Sequence, residues 1–454
     1  MDVRAGEGGA LLLSFAYFFL LLCSYYILRP LRDAWGIEGG TDDLPWLFTA
    51  TFVTMLAVTP LYGAVVARCR RRAIVPTVYR FFGLNLLAFY ALLHFDAPRV
   101  PLGHAFFVWI SVYNLFVVSI FWSVMADLFA SEQGRRLFGF IAVGGSLGAL
   151  AGPLLARQLA EPLGTGNLLL LSAVLLEACT QCVARLLRLG EPRDAATADG
   201  AARAAAGDAE GADAPVGGSI LNGMWLVLRD AYMRRIAAQV LCLTTTATFL
   251  YLLQARIVSD TVAGTGARTA AFANIDLVVN AMVFGLQLGV TAPLLRHAGL
   301  GTVLRILPVL TAAGSLLLAA QPTLLVLTLF QGLRRAVQYA LYRPARELLL
   351  TVVGRERKYA SKGFIDTVVY RGGDWASAQL FAGLELVGFK LAGLALAGLP
   401  VAAGWWLLCG SLARRQRELE QARQPAPSPS PVAATFEASS PIGTVRSFPK
   451  GPRS

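Results

Sequence analysis

Long apolar stretches, separated by short polar and charged turns, follow one another along most of the chain. A stretch of about 20 apolar residues is enough to cross a bilayer as a helix. Because lipid offers no water to the backbone, each such stretch is predicted to be helical. The predicted spans are 10–29, 45–67, 73–94, 103–127, 137–158, 167–189, 233–255, 270–295, 300–320, 323–346, 361–383 and 387–411. The pattern therefore predicts an all-α integral membrane protein with about twelve transmembrane helices.

A polar segment divides these spans into two groups of six. Residues 190–217 are rich in Ala, Gly and Asp, which predicts a flexible cytoplasmic linker because such a composition cannot bury a core. Residues 218–232 place apolar side chains on one helical face, as expected of an amphipathic helix at the membrane interface. The sequence thus predicts two six-helix bundles, at 1–189 and 233–411, and a disordered cytoplasmic tail at 412–454.

Composition and charge agree with this picture. Apolar residues make up 56% of the 454 residues and charged residues 15%, against roughly 25% charged in soluble domains. The net charge of +12 arises largely from arginines in alternate loops, and positive loops face the cytoplasm. We therefore expect both termini to be cytoplasmic, and the positive charge requires no nucleic-acid partner.

Ionisable residues inside the predicted spans are the most informative chemical feature. A charge at the centre of a helix in lipid costs at least ~2.5–3.5 kcal/mol, so it is retained beside a partner, a cavity or a polar ligand. One face of the tenth span is polar and consists of Gln331, Arg335, Gln338 and Tyr342, with Arg334 beside it. Arginine presents a fork of donors that fits phosphate or carboxylate. This face is therefore a candidate binding site for an anion.

The neighbouring spans supply a further arginine and the carboxylates that could neutralise these charges. Arg371 lies in the eleventh span, three residues before Asp374, so the two can pair. Asp366 shares a face with Asp374, and the eighth span carries Asp276 and Asn280 on one side. Two interpretations stay open. The arginines bind an anionic substrate, or they form internal pairs with these carboxylates.

The first span ends with the basic residues Arg29 and Arg32. Long side chains reach the interface cheaply near the end of a span, so gating and plain interfacial anchoring are both consistent with their position. The candidates for coupling or gating are Arg29, Arg32, Asp276, Asn280, Asp366 and Asp374. The candidates for substrate binding are Arg334, Arg335, Gln338, Tyr342 and Arg371.

Glycines recur at small-xxx-small spacing in two of the spans. Such spacing lets helices approach closely. Gly144, Gly148 and Gly152 lie in the fifth span, and Gly285 and Gly289 lie in the eighth. We expect them to bring these two helices together between the halves.

Signatures of catalysis are missing from the sequence. It has three histidines and no G-x-x-x-x-G-K-[ST] loop that would cradle phosphates. We therefore expect no enzyme activity, no cofactor and no metal site. Two alternatives remain, namely an intramembrane enzyme that uses Asp276 or Asp366 as acid or base, and a transporter-derived sensor or scaffold that acts through the linker or the tail.

Three segments resemble known transporters. The segment Tyr25-Tyr-Ile-Leu-Arg-Pro-Leu-Arg-Asp33 is similar to the basic signature of the nucleotide (ATP/ADP) translocase family of plastids and intracellular bacteria. Residues 342–374 resemble the bacterial relatives of that family, and 122–152 are similar in outline. The two groups of six spans with a central linker resemble the major facilitator superfamily.

The resemblance implies a secondary-active transporter that works by alternating access. Its implied cargo is an organic anion such as a nucleotide or another phosphorylated metabolite, carried by an antiporter. A bacterial inner membrane is the implied location. The expected partners are this small substrate and the lipid bilayer, and a monomer is compatible with the interpretation.

Overall fold

The protein is almost entirely helical in a computed structural model. The residues that the structure describes are 7–68, 71–95, 97–129, 131–205, 220–289, 294, 298–353 and 355–423. No strand occurs among them. The predicted all-α fold is confirmed.

The first half of the chain contains six long helices. They are α1 (Gly8–Gly36), α2 (Leu44–Arg68), α3 (Arg71–His94), α4 (Arg99–Leu128), α5 (Ser131–Leu159) and α6 (Thr165–Ala205). A short helix, α7 (Ile220–Arg229), precedes the second half.

The second half contains longer and shorter helices. They are α8 (Ala231–Thr261), α9 (Thr265–Gly289), α10 (Gly299–Ala320), α11 (Leu324–Val337), α12 (Arg343–Leu349), α13 (Arg355–Phe364), α14 (Tyr370–Leu386) and α15 (Leu391–Arg423). A π-helical turn at Gln338–Tyr342 joins α11 to α12, and a second at Ile365–Val369 joins α13 to α14.

Ten of the described helices are long and apolar enough to cross a membrane. They are α1 to α6, α8, α9, α10 and α15. In the two other predicted crossings, 323–346 and 361–383, two α-helices are joined through a π turn without a break in the helix. Each is divided into shorter helices and carries several charged residues, so neither half-segment meets the length and hydropathy of an ordinary membrane helix.

The structure differs from the predicted boundaries around the linker. Helix α6 continues to Ala205 and so includes the first part of 190–217. Alanine is frequent in that part, and alanine has the highest helix propensity. The rest of the predicted linker, from 206, lies outside the described residues up to 219.

The amphipathic segment is also shorter than predicted. Helix α7 ends at Arg229 because Asp230 begins a new helix. Its carboxylate accepts hydrogen bonds from the backbone N–H groups of Tyr232 and Met233, which is the usual N-cap geometry.

The last helix extends past the predicted start of the tail. Helix α15 ends at Arg423, although 412–454 was predicted to be disordered. Charges of opposite sign stabilise the extension, as in the pair between Arg415 Nη1 and Glu418 Oε2 at 2.7 Å. Residues 424–454 lie outside the described part of the chain.

Helix α1 is central to the first half and packs against α4, α5 and α6. The glycines of α5 face α1. A Cβ atom at Gly148 would lie 2.2 Å from the carbonyl oxygen of Phe19, and one at Gly152 would lie 2.7 Å from that of Cys23. A Cβ at Gly285 would meet nothing within 4 Å. Helices α5 and α9 do contact each other, but the prediction that these glycines bring them together was wrong, because the glycines of α5 serve the α1–α5 contact within one half.

Side chains join the two halves on one side of the molecule. We call the side on which α1 begins and α15 ends the inner side, and the opposite side the outer side. On the outer side, the Tyr251 hydroxyl donates to Asp33 Oδ1 at 2.9 Å. Nearby, the Trp375 indole and the Gln379 amide both donate to Thr49 Oγ1 at 3.1 Å. These bonds hold α1 and α2 against α8 and α14.

The glycine contact gives a first test of the fold. We expect Gly148→Ala to lower the free energy of unfolding by about 1–3 kcal/mol, since the added methyl group overpacks the α1–α5 contact. The control is Gly139→Ala in the same helix, where a Cβ would meet nothing within 4 Å. Thermal unfolding in detergent compares the two variants, and equal melting temperatures would contradict this packing.

Candidate functional site

A polar cavity of about 220 Å³ lies between the two halves. Helices α1, α2, α8, α11 and α14 and the first π turn form its walls. Its charged lining residues are Arg29, Arg32, Asp33, Arg334, Arg335, Arg371 and Asp374. We call it the polar cavity. Of the five predicted substrate-binding residues, Arg334, Arg335, Gln338 and Arg371 line it.

Asp276 neutralises arginines from both halves of the chain. Its Oδ1 atom lies 3.0 Å from Nη1 of Arg335 and 3.3 Å from Nη1 of Arg29. The residue is 4% exposed, and its Oδ2 atom is buried without a hydrogen-bond partner among the described residues. For Arg335 the structure therefore shows the internal ion pair that the sequence left open beside substrate binding.

A second network holds Arg32 at the outer end of the polar cavity. Its Nε atom donates to Asp33 Oδ1 at 2.8 Å, and Tyr251 donates to the same oxygen. The guanidinium carbon of Arg32 also lies 4.9 Å from the centre of the Phe107 ring, a cation–π distance. Arg29 and Arg32 therefore face the interior of the protein and not the membrane interface.

Arg334 is buried among neutral partners. It is 1% exposed, and its Nε and Nη2 atoms donate to Thr311 Oγ1 at 3.3 Å and Thr246 Oγ1 at 3.1 Å. Among the residues that the structure describes, no carboxylate lies within 4.0 Å of its nitrogens. The positive charge of Arg334 is therefore held in place but not neutralised.

Arg371 and Asp374 line the polar cavity but do not form an ion pair with each other at 4.0 Å or less. Asp374 Oδ1 accepts a hydrogen bond from Thr248 Oγ1 on α8 at 3.2 Å. Within the described ranges, Arg371 has no ion pair at 4.0 Å or less. Of the two interpretations that the sequence left open for Arg371, the ion pair with Asp374 is therefore not formed, and Thr248 is the hydrogen-bond donor to that carboxylate. Arg371 is left as a second arginine without a bonded carboxylate.

The remaining predicted residues are engaged elsewhere. Asp366 Oδ1 lies 3.2 Å from Nη2 of Arg346. Tyr342 is buried, and its hydroxyl accepts from the Trp405 indole at 2.9 Å. Asn280 donates to the Ala149 carbonyl at 2.8 Å, and this bond joins α9 to α5. These residues support the walls of the site and lie outside the polar cavity.

Two larger cavities adjoin the polar cavity. The first has a volume of about 440 Å³, shares Gln338, Tyr339 and Arg371 with it, and contains Arg346 and Lys362. We call it the inner basic cavity, because α12 and α13 place those residues on the inner side. The polar cavity thus continues towards the inner side, where Asp366 and Glu347 also line the inner basic cavity and pair with Arg346 and Lys362.

The second adjoining cavity has a volume of about 520 Å³ and an aromatic lining. Tyr339 belongs to both this cavity and the polar cavity. We call it the aromatic cavity, since its rings are those of Phe18, Tyr26, Trp122, Phe284 and Tyr339. An aromatic-lined cavity therefore adjoins the polar cavity at Tyr339.

Some site residues were missed in the sequence. Tyr339 lines all three cavities and follows Arg335 by four residues, the spacing that places side chains on one helical face. Thr246 and Thr248 supply hydrogen bonds to Arg334 and Asp374. Their signal was the run of threonines in an otherwise apolar span.

Solved structures share the fold of this chain. No family model and no curated protein matches the sequence. The crystal structure of a point mutant of the nucleoside transporter NupG has a TM-score of 0.62 at 10% identity, covering 90% of this chain and 99% of that one. A POT family transporter in complex with 5-aminolevulinic acid has a TM-score of 0.62 at 11% identity, with coverages of 89% and 96%.

A third structure agrees with these two. The bacterial homolog to the human lysosomal transporter Spinster, in an inward-facing and unoccupied conformation, has a TM-score of 0.53 at 12% identity, with coverages of 94% and 100%. All three are transporters of the major facilitator type. The chain therefore has the major facilitator fold, as predicted, and at these identities the likeness shows the fold alone.

The Asp276 network can be tested by removing its single negative charge. Asp276→Asn leaves Arg29 and Arg335 without a counter-charge, and breaking a buried ion pair on one side costs about 3–5 kcal/mol. The matched control is Asp366→Asn, because that carboxylate is 38% exposed and its pair with Arg346 should contribute no more than about 1 kcal/mol. Thermal unfolding in detergent measures both, and equal losses would contradict the network.

Proposed function

We propose that the chain is a secondary-active transporter that carries a small organic anion by alternating access. The observation that supports this most directly is the pair of arginines, Arg334 and Arg371, that face the polar cavity without a bonded carboxylate. Together with Asp276, the cavity brings together five arginines and three aspartates, a formal excess of two positive charges. Such an excess in a low-dielectric site favours an anion.

The two unpaired arginines have different parts in this proposal. Hydrogen bonds to two threonines hold the Arg334 side chain in one position. The side chain therefore loses little conformational freedom when a substrate binds. Arg371 lies beside Gln338 and Tyr339, which offer further hydrogen bonds. A phosphate or carboxylate fits a guanidinium with two parallel bonds. We therefore assign the anionic group of the substrate to Arg334 and Arg371.

The proposed gating or coupling residues are Arg29, Arg335 and Asp276. Asp276 links α1 to α9 and α11, so it joins the halves that must separate during transport. An anion close to Arg335 competes with Asp276 for the same guanidinium. Substrate arrival and loosening of the interface are thereby linked. The outer bond between Asp33 and Tyr251 is a further contact that opening towards the outer side must break.

The lining of the aromatic cavity favours a substrate that contains a flat aromatic ring. Stacking of a base on an aromatic side chain contributes about 1–3 kcal/mol, and Trp122 and Phe284 line this cavity next to the polar one. The resemblance of 25–33 to nucleotide translocases, and of 342–374 to the bacterial relatives of that family, supports the same proposal. A nucleotide, or another phosphorylated metabolite, is therefore the proposed cargo, with exchange as the proposed mode.

The proposed location is a bacterial inner membrane with cytoplasmic termini. Arginines near the ends of spans set orientation. Arg234, Arg357 and Arg414 all lie on the inner side by the order of the helices. The inner basic cavity then opens towards the cytoplasm.

Arginine variants test the anion site. We expect Arg371→Gln and Arg334→Gln each to weaken binding of ADP by about 10–100-fold, because hydrogen bonds to charged groups contribute about 1.5–3 kcal/mol. Binding is measured by thermal shift, and uptake is measured in proteoliposomes, with glucose 6-phosphate and citrate as further probes.

The matched control for these variants is Arg80→Gln. Arg80 is exposed, pairs with Glu177 at 3.0 Å, and lines none of the three cavities. It should bind and transport as the unmodified protein does. Unchanged binding of all three probes by Arg371→Gln and Arg334→Gln would overturn the proposed anion site.

A tryptophan variant tests the ring-bearing cargo. Trp122→Ala should weaken ADP binding by about 5–100-fold, in line with the loss of one stacking contact, and should leave glucose 6-phosphate binding unchanged. Trp46→Ala is the control, since Trp46 is exposed on α2 outside the cavities. Equal weakening of ADP and glucose 6-phosphate binding would contradict the proposal that the aromatic cavity binds a flat aromatic base.

A further inference from the structure

A separate basic cavity of about 780 Å³ lies on the inner side, within the second half alone. The start of α8, the turn at 352–353, α13 and the last turns of α15 form it. It shares no lining residue with the polar, inner basic or aromatic cavities. We call it the peripheral cavity. Its arginines are Arg235, Arg357, Arg414 and Arg415.

The peripheral cavity carries a formal excess of two positive charges, from four arginines and two carboxylates. Arg415 is paired with Glu418 at 2.7 Å. The other carboxylate of the lining, Asp230, serves as the N-cap of α8. Within the part of the chain that the structure describes, the three remaining arginines have no ion pair at 4.0 Å or less. They come from three different helices, so the fold and not a local run of sequence brings them together.

Helix α7 ends beside this cavity and indicates its depth in the membrane. It ends at Arg229, next to Asp230 in the cavity wall. Its large apolar side chains Trp225 and Leu228 are 55% and 52% exposed, and the guanidinium of Arg229 lies over the Trp225 ring at 5.5 Å. An amphipathic helix with such a face lies at the boundary between headgroups and acyl chains. The peripheral cavity is therefore at the level of lipid phosphates.

We propose that the peripheral cavity binds the phosphate of an anionic phospholipid headgroup through Arg235, Arg357 and Arg414. Guanidinium groups suit phosphate, and basic pockets on the cytoplasmic side of membrane helices bind anionic headgroups. The volume is within the range of about 300–1,000 Å³ that small-molecule sites occupy. A water-soluble phosphate offers the same chemistry, and the position beside α7 favours the lipid.

The test uses the full-length protein in detergent, with bound lipid counted by native mass spectrometry. The protein is titrated with phosphatidylglycerol, with zwitterionic phosphatidylcholine and, in a separate arm, with water-soluble glycerol phosphate. The variant carries Arg235→Gln and Arg414→Gln. Each arginine near an anionic lipid contributes about fivefold to binding, so the affinity for phosphatidylglycerol should fall about 25-fold.

The control carries Arg234→Gln and Arg417→Gln. These arginines lie on the same two helices as the tested pair but do not line the cavity. The control should retain phosphatidylglycerol as the unmodified protein does, and both variants should melt within a degree or so of it. Equal weakening in the two variants would overturn the site, because the effect would then be one of general surface charge. Glycerol phosphate that binds as tightly as phosphatidylglycerol would overturn the assignment to a lipid.

Discussion

The structure depends on how guanidinium charge is accommodated between two helical bundles in a membrane. A charge in that setting needs a counter-charge, hydrogen bonds or water. Asp276 meets this need for Arg29 and Arg335 together, with one oxygen at 3.3 and 3.0 Å from them. Because Arg29 belongs to the first half and Asp276 to the second, the same interaction holds the halves together. One carboxylate therefore both joins the halves and supplies a single negative charge for two arginines.

Arg334 shows the opposite arrangement. Its two threonine partners accept hydrogen bonds from the guanidinium but supply no negative charge. The position of the side chain is therefore fixed, while its positive charge is not balanced, and an unbalanced charge attracts an anion more strongly in a low-dielectric site than in water. Arg371 contributes a second arginine without a bonded carboxylate from the facing helix. An incoming anion is then the group that completes the charge balance of the polar cavity, which is the physical basis of the proposed selectivity.

The helices could be predicted from the sequence, and most of their partners could not. Long apolar runs identify membrane helices whatever their neighbours are, so ten of the twelve predicted spans correspond to long apolar helices among the described residues. The other two, 323–346 and 361–383, correspond to shorter helices joined by π turns. The sequence alone could not select Asp276 as the partner of Arg335, since Asp366 and Asp374 are also aspartates within predicted spans. The structure assigns those two to Arg346 and Thr248, and these assignments depend on which helices face each other. The prediction from the glycines of α5 was wrong for the same reason. Their spacing shows that another helix can pack closely against α5, but it does not show which helix that is.

The two π-helical turns explain why register arguments were least reliable around the site. A π turn places one extra residue in a helix, and in an α-helix each residue turns by about 100°, so faces before and after the turn no longer align. The turns at Gln338–Tyr342 and Ile365–Val369 lie beside the cavities in both segments. Arg346 of α12 binds Asp366 within the second turn, and Lys362 of α13 binds Glu347 of α12 at 2.9 Å. The two turns therefore lie between these inner ion pairs and the outer hydrogen bonds that Trp375 and Gln379 of α14 make to Thr49.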